Sequence, residues 1–271
     1  GSAAITMIGI ALFGGRAYYA CEIGDDHWGN FYLEDLNKAG VESNPANRQH
    51  GRTGRCMVFV TPDADRTLNT YLGVSSNIGP EQLEAEKIAD SIYVYLEGYL
   101  LSSDSGFAAC IKAQELAQKS GTKVSLTLSD PFIVESCKER FEQIVAKGID
   151  LLLCNESEAM AFSSASKRDK ACLAVAALAD NTCVTLGREG AFVSSGETIC
   201  RIPGIEVDAV DTTGAGDMFA AGVLFGITNG YSLEDASKLG TYSAGLVVSR
   251  FGPRLEEKLD DMIDLILAHF N

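Results

Sequence analysis

The sequence predicts an α/β fold of three layers, a mainly parallel central sheet covered by helices on both faces, with a small β flap attached. Three observations predict it. Short, continuous apolar runs alternate with amphipathic segments over most of the 271 residues, and strands of that kind belong to sheets buried on both faces. Hydrophobic residues make up 46% of the chain, which suits one large core at this length. One stretch, 50–73, breaks the alternation: Gly51, Gly54, Thr61-Pro62 and a Thr/Asn/Tyr-rich run read as two short strands joined by a turn.

The apolar start, residues 1–13, lacks a basic beginning and a clear cleavage site, so it is not read as a signal peptide. Strand-like runs follow at 16–21, 56–61, 92–96, 123–128, 150–154, 182–186 and 191–194. Helix-like stretches occupy 28–38, 106–119, 132–147 and 171–179. Gly121 sits just past one helix as a C-terminal cap would, and Pro131 suits the first turn of the next. From Gly214 onward three helical stretches succeed one another with little strand between them. The expectation is a single domain over 1–271, with a lid contributed by about 50–73.

Charge and cysteines narrow the function classes. Lys plus Arg number 22 and Asp plus Glu 37, a net charge of −15. That balance argues against nucleic acid or an anionic membrane as partner, because both need clustered cations. No stretch approaches the ~20 apolar residues of a membrane helix. The eight cysteines, at 21, 56, 110, 137, 154, 172, 183 and 200, include no CxxC pair. They read as buried reduced thiols of a cytoplasmic protein.

In sheets of this class ligands gather at the carboxyl ends of the strands, and three strings stand out. The strongest is Asp211-Thr212-Thr213-Gly214-Ala215-Gly216-Asp217, followed by an apolar run to Phe225 with small residues at Ala220, Ala221 and Gly222. Those residues predict a buried helix with the Gly-Ala-Gly turn at its start. Free N–H groups and the helix dipole would make an anion site there. Asp217, in the first turn, is placed to take a proton from an attacking hydroxyl; the alternative is that it only complements the dipole.

The second string, Asn155-Glu156-Ser157-Glu158, follows a strand. Asn155 and Glu158 have the spacing of a capping box, and the same oxygens suit the water shell of magnesium. The third, Thr185-Leu186-Gly187-Arg188-Glu189-Gly190, reads as a hairpin turn or as a turn that lets the backbone approach a nucleotide. A Walker A sequence and the protein-kinase strings are both absent.

Together these strings resemble the ribokinase-like (PfkB) family of carbohydrate and nucleoside kinases. The string 211–217 is similar to the family's C-terminal signature, Asn155/Glu158 to its N-x-x-E motif, and Thr185, Gly187 and Gly190 to its nucleotide-binding turn. Gly1-Ser2-Ala3-Ala4 resembles the second half of its N-terminal Gly-Gly substrate motif, and Gly14-Gly15-Arg16, Gly24-Asp25-Asp26 and Gly29 continue that region. Residues 128–133 and 155–159 look most like the adenosine kinase branch, whereas Asp211-Thr212-Thr213 is closer to bacterial sugar kinases. Two departures stand out: Ile5 occupies the position of a family Asn that binds substrate hydroxyls, and the chain begins inside the motif. Members carry a preceding segment with the first sheet strand, so the sequence reads as a family member without that strand.

The resemblance implies roles. Asp217 would be the catalytic base, and the N–H groups of Gly214, Ala215 and Gly216 the hole for the transferring phosphoryl group. Asn155 and Glu158 would hold Mg²⁺ through water, and Thr185, Gly187 and Gly190 would bind ATP. Ser2 and Arg66 would meet the substrate. Asp211 and Thr213, with carbonyls near Val247, Arg250 and Gly252, would hold a monovalent cation, K⁺. The implied reaction is ATP-dependent phosphorylation of a nucleoside or sugar hydroxyl, adenosine to AMP first among them. A sugar kinase and a non-catalytic nucleotide-binding paralogue are the alternatives. Members pair through the flap or stay monomeric, so a monomer or homodimer is expected.

Overall fold

A computed structural model of the chain describes residues 1–64 and 66–270. The chain splits into two compact units, Gly1–Ile78 with Ile205–Asn271, and Gly79–Gly204. In the first unit the apolar start is a helix, α1 (Ser2–Leu12). Its residues Ala4, Met7, Ile8 and Ile10 are buried, which explains an apolar run with neither signal-peptide flanks nor strand alternation. The expected strand at 16–21 does not form: only Tyr18 bridges to Glu42, and the strand β1 (Ile23–Gly24) follows it. An apolar run becomes a strand only beside a partner ladder. Here the backbone finds one for little more than Tyr19 N–H to the Glu42 carbonyl and Glu42 N–H to that of Ala17.

The helix α2 (His27–Lys38) starts on Asp26, whose carboxylate accepts from Gly29 N–H at 2.9 Å. The same carboxylate takes the Thr53 hydroxyl at 2.6 Å, so the cap also fastens the 50s segment. After the short β2 (Arg48–Gln49), which pairs with β1, comes the predicted flap. The strands β3 (Arg55–Val60) and β4 (Arg66–Tyr71) pair antiparallel from Arg55–Tyr71 to Val60–Arg66. Apart from half-buried Val60, every residue of this ribbon is exposed.

The second unit carries the sheet. The helix α3 (Ala85–Ala89) leads to β5 (Tyr93–Glu97), α4 (Asp104–Ser120) and β6 (Lys123–Thr127). Then come α5 (Pro131–Ser136), α6 (Lys138–Ala146), β7 (Leu151–Asn155), α7 (Glu156–Ser163), α8 (Arg168–Ala176), β8 (Asn181–Thr185), β9 (Ala191–Ser195) and β10 (Thr198–Ile202). The strand order is β10-β9-β8-β7-β6-β5. β5 to β8 run parallel and β9 and β10 antiparallel, the mainly parallel sheet that the apolar runs predict. Gly121 ends α4 in the left-handed conformation, φ 77°, and Pro131 sits in the first turn of α5 behind an Asp130 cap. The helix expected over 132–147 divides at Cys137, whose φ of −119° ends α5 and opens α6. Apolar periodicity registers Val134, Phe141 and Ile144, all buried, but carries no sign of a break in the axis.

The chain then returns to the first unit with α9 (Ala215–Thr228), α10 (Leu233–Val248) and α11 (Ile263–His269). Phe13 stacks on Phe225 of α9 with ring centroids 5.1 Å apart, among buried Met218, Leu239, Val247 and Ile266. In the second unit Phe141, fully buried, meets Phe162 edge-to-face at 6.3 Å among Leu126, Leu152 and Ile144. Phe141→Ala should therefore cost about 3–5 kcal/mol, read from the midpoint of urea unfolding followed by far-ultraviolet dichroism.

Candidate functional site

The first unit brings together the string 211–217, Ser2 and Arg66. α9 starts on Gly214, whose φ is 83°. A Cβ there would lie 2.0 Å from the Pro253 carbonyl oxygen, so both the backbone conformation and the space exclude any other residue. The chain thus turns sharply into a helix buried from Met218 to Gly226. The first-turn N–H groups of such a helix have no acceptor within it, and the helix dipole leaves positive potential beside them.

Asp217 sits in that first turn. The Ser2 hydroxyl, on the first residue of α1, donates to Asp217 Oδ1 at 2.5 Å. Burial pushes the Asp217 carboxyl up to about 6, against the lowering effects of the Ser2 hydrogen bond and the Arg66 charge. Arg66, in the flap strand β4, donates to the Thr212 hydroxyl at 2.7 Å, and that hydroxyl donates on to the Ala64 carbonyl at 3.2 Å. Thr212 is the link between flap and turn that sequence reasoning missed; it lies inside the strongest string, which is the only signal that could have pointed to it.

Asp211 links Thr213 and Gly252, and its own N–H donates to the carbonyl of Val248, next to Val247, at 3.3 Å. Asp211 is buried, and its carboxylate accepts from Thr213 N–H at 2.9 Å and Gly252 N–H at 3.1 Å. Burial raises its pKa, but hydrogen bonds from Thr213 and Gly252 and the Arg66 charge outweigh that and hold it below the ordinary value. Thr213 Oγ1 is buried beside it without a hydrogen bond of good geometry among the described residues. The Val247 carbonyl is taken by Arg250 N–H at 3.4 Å, and the Arg250 side chain pairs with Glu257 at 2.8 Å. Ile5 lies one turn beyond Ser2 on α1, half-buried against the apolar cluster of this unit.

The second unit brings the other two strings side by side. Asn155 pairs with Thr185 in the β7–β8 register, so both sit at the carboxyl end of the parallel strands. Asn155 and Glu158 form a complete capping box: Glu158 N–H donates to Asn155 Oδ1 at 2.9 Å, and Asn155 N–H to Glu158 Oε2 at 3.0 Å. The Asn155 amide also donates to Glu158 Oε1 at 2.6 Å. Burial pushes the Glu158 carboxyl up to about 7, the Asn155 hydrogen bond lowers it, and Asp130 adds to the rise. An all-oxygen donor set with an acidic member fits magnesium, which prefers oxygen and retains waters.

Past Thr185, the one-turn helix Gly187–Glu189 joins the antiparallel strands β8 and β9. The hairpin reading of this string is thus correct, and it is compatible with a nucleotide turn. Gly190 has a φ of 92°, and a Cβ there would lie 2.0 Å from the Ile202 carbonyl oxygen.

A stability prediction follows from Asp217. Its folded pKa of about 6 lies above the ordinary 3.8, so the native state holds the proton more tightly than the unfolded chain does. This contribution to stability is present below about 3.8 and lost as pH rises through about 6. Asp217→Asn should therefore raise the melting temperature relative to the parent at pH 8, with the gap closing toward pH 4, as scanning calorimetry would show.

The family described as pfkB family carbohydrate kinase matches residues 1–259. The adenosine kinase of Sinorhizobium meliloti superposes with a TM-score of 0.94 at 37% identity, covering 98% of this chain and 82% of that one. A probable sugar kinase of Rhizobium etli superposes with a TM-score of 0.94 at 34% identity, over 100% of this chain and 82% of that one. The adenosine kinase of Saccharomyces cerevisiae is 29% identical over 270 residues, 93% of this chain and 78% of that protein.

Proposed function

The chain belongs to the PfkB family of carbohydrate kinases, phosphotransferases that act on hydroxyl groups, and from that premise we propose that it transfers the γ-phosphoryl group of ATP to the 5′-hydroxyl of adenosine. The observation that carries this reading is the Ser2–Asp217 hydrogen bond at 2.5 Å, in the first turn of a buried helix whose leading N–H groups lie outside its own hydrogen-bond ladder. A base and an anion-stabilising turn on one helical turn are what attack by a hydroxyl on a phosphoryl group requires. The similarity to the S. meliloti adenosine kinase supports a nucleoside acceptor. The R. etli probable sugar kinase, at nearly the same identity, favours a sugar as the second reading.

The acceptor hydroxyl gives its proton to the Asp217 carboxylate as its oxygen bonds to the γ-phosphorus. The bond from that phosphorus to the bridging oxygen breaks, and ADP departs. A carboxyl near 6 is ionised at neutral pH yet more basic than an ordinary aspartate. Ser2 fixes which Asp217 oxygen is turned toward α1, leaving the other for the acceptor. The 214–216 N–H groups stabilise charge on the phosphoryl oxygens without a cationic side chain. Arg66, held on Thr212, adds positive charge from the flap, which would exclude water when it covers the acceptor.

The second unit supports the nucleotide. Thr185 and the 187–190 turn would approach ATP through backbone made accessible by glycine. Asn155 and Glu158 would hold the water shell of magnesium, which when bound neutralises phosphate charge. Asp211 and Thr213 would face a potassium ion, whose charge would add to that of the adjacent helix start.

Two measurements test the reading. Asp217→Asn should lower kcat by about 10²–10⁴, and the parent's kcat/KM should rise with pH along a limb near 6 that the variant lacks. In an ATP-consumption panel with magnesium, adenosine should turn over with a higher kcat/KM than ribose or fructose. Turnover with the sugars alone would overturn the nucleoside assignment.

A further inference from the structure

The second unit contains an ion-pair cluster that the strings did not single out. Arg168, the first residue of α8, makes a two-pronged contact with Glu189, at 2.6 Å and 3.0 Å. Its guanidinium also lies 3.7 Å from Glu156. Glu156 opens α7, next to the Asn155 cap, and Glu189 lies in the turn between Gly187 and Gly190. One cation therefore touches both segments at the carboxyl end of the sheet. It is not a generic surface pair, because a guanidinium fork on a carboxylate fixes orientation as well as distance.

We propose that Arg168 is a positioning residue for ATP, a clamp that holds the 187–190 turn against the start of α7. The proposal rests on the nucleotide role of that turn. Gly187 and Gly190 both have positive φ, and the turn is closed by its own hydrogen bonds, Leu186 N–H to the Gly190 carbonyl at 2.8 Å and Gly190 N–H to the Gly187 carbonyl at 3.1 Å; these bonds shape the turn but lie within it. The Glu189 side chain extends that restraint outward, and Arg168 anchors it to the starts of α7 and α8. By holding the turn in place before ATP arrives, the clamp removes an ordering cost from binding. Arg168 also neutralises Glu156 and Glu189, two carboxylates that would otherwise repel the phosphates. Its contacts are with Glu189 and Glu156, so it acts through the turn.

The test uses the full chain with Arg168→Ala, Glu189→Ala, the double variant and the charge swap Arg168→Glu/Glu189→Arg. The Kd and KM for ATP should rise about five- to tenfold in each single variant. The double variant should be no worse than either single. kcat and the acceptor KM should stay within twofold, and the swap should recover ATP affinity. Arg168→Lys should recover little, since an ammonium cannot span both carboxylate oxygens. An ATP Kd within twofold of the parent in both single variants would overturn the clamp. So would equal rises in the ATP and acceptor KM values with a fall in melting temperature, the mark of a merely structural role. Gly190→Val, measured alongside, separates the two levels: if it too leaves the ATP Kd unchanged, the nucleotide reading of the turn fails with the clamp.

Discussion

Gly214 is the constraint on which the first unit's chemistry depends. Its left-handed backbone and its approach to the Pro253 carbonyl admit no side chain, and only through that corner can the chain pass from the Asp211 segment directly into a buried helix. The corner leaves the first-turn N–H groups outside the helical ladder. It also sets Asp217 one residue past Gly216, where the Ser2 hydroxyl of α1 reaches it. Asp211, behind the corner, accepts from Thr213 and Gly252 and so ties the two sides of the turn together. The proposed base, the proposed anion site and the buried Asp211 carboxylate all depend on one backbone reversal.

The net charge of −15 makes this arrangement informative. A kinase binds a polyanion, and a protein with such an excess of acids must create positive potential locally. Backbone N–H groups do so without adding a side chain to the surface. Arg66 is the one cation hydrogen-bonded to the string 211–217 among the described residues. The same electrostatics set the two carboxyls of this unit apart. Asp211 has donors enough to stay ionised despite burial, whereas Asp217 has Ser2 and remains the more basic group. Environments that push neighbouring carboxyls in opposite directions are consistent with the proposed division between a structural acid and a proton acceptor.

In the second unit the proposed magnesium ligands are also structural groups. The capping box of Asn155 and Glu158 satisfies the start of α7, and a carboxylate still has acceptor capacity after two hydrogen bonds. A helix cap at the end of a parallel strand is therefore no argument against a metal-water site. The Asn155–Thr185 register pair shows why the two strings belong together although they are far apart in the sequence: adjacent parallel strands deliver their carboxyl ends to the same edge.

Much of this was legible in the sequence because it is local. Apolar runs of strand length gave the parallel strands, Gly and Pro marked the ends of α4 and α5, and the string 211–217 announced a glycine corner before a buried helix. The capping box was readable from the spacing of Asn155 and Glu158, and the flap from its break in the alternation. What failed was local pattern without local cause. Residues 16–21 are apolar enough for a strand but find a single bridge partner, and α5 and α6 divide at Cys137 inside an uninterrupted periodicity. Only the tertiary structure could decide that Ser2 would meet Asp217, that Arg66 would sit on Thr212, and that Arg168 would join Glu156 to Glu189. Those contacts span up to 215 residues. Which donor reaches which acceptor across such a distance is set by packing, for which a one-dimensional pattern has no coordinate.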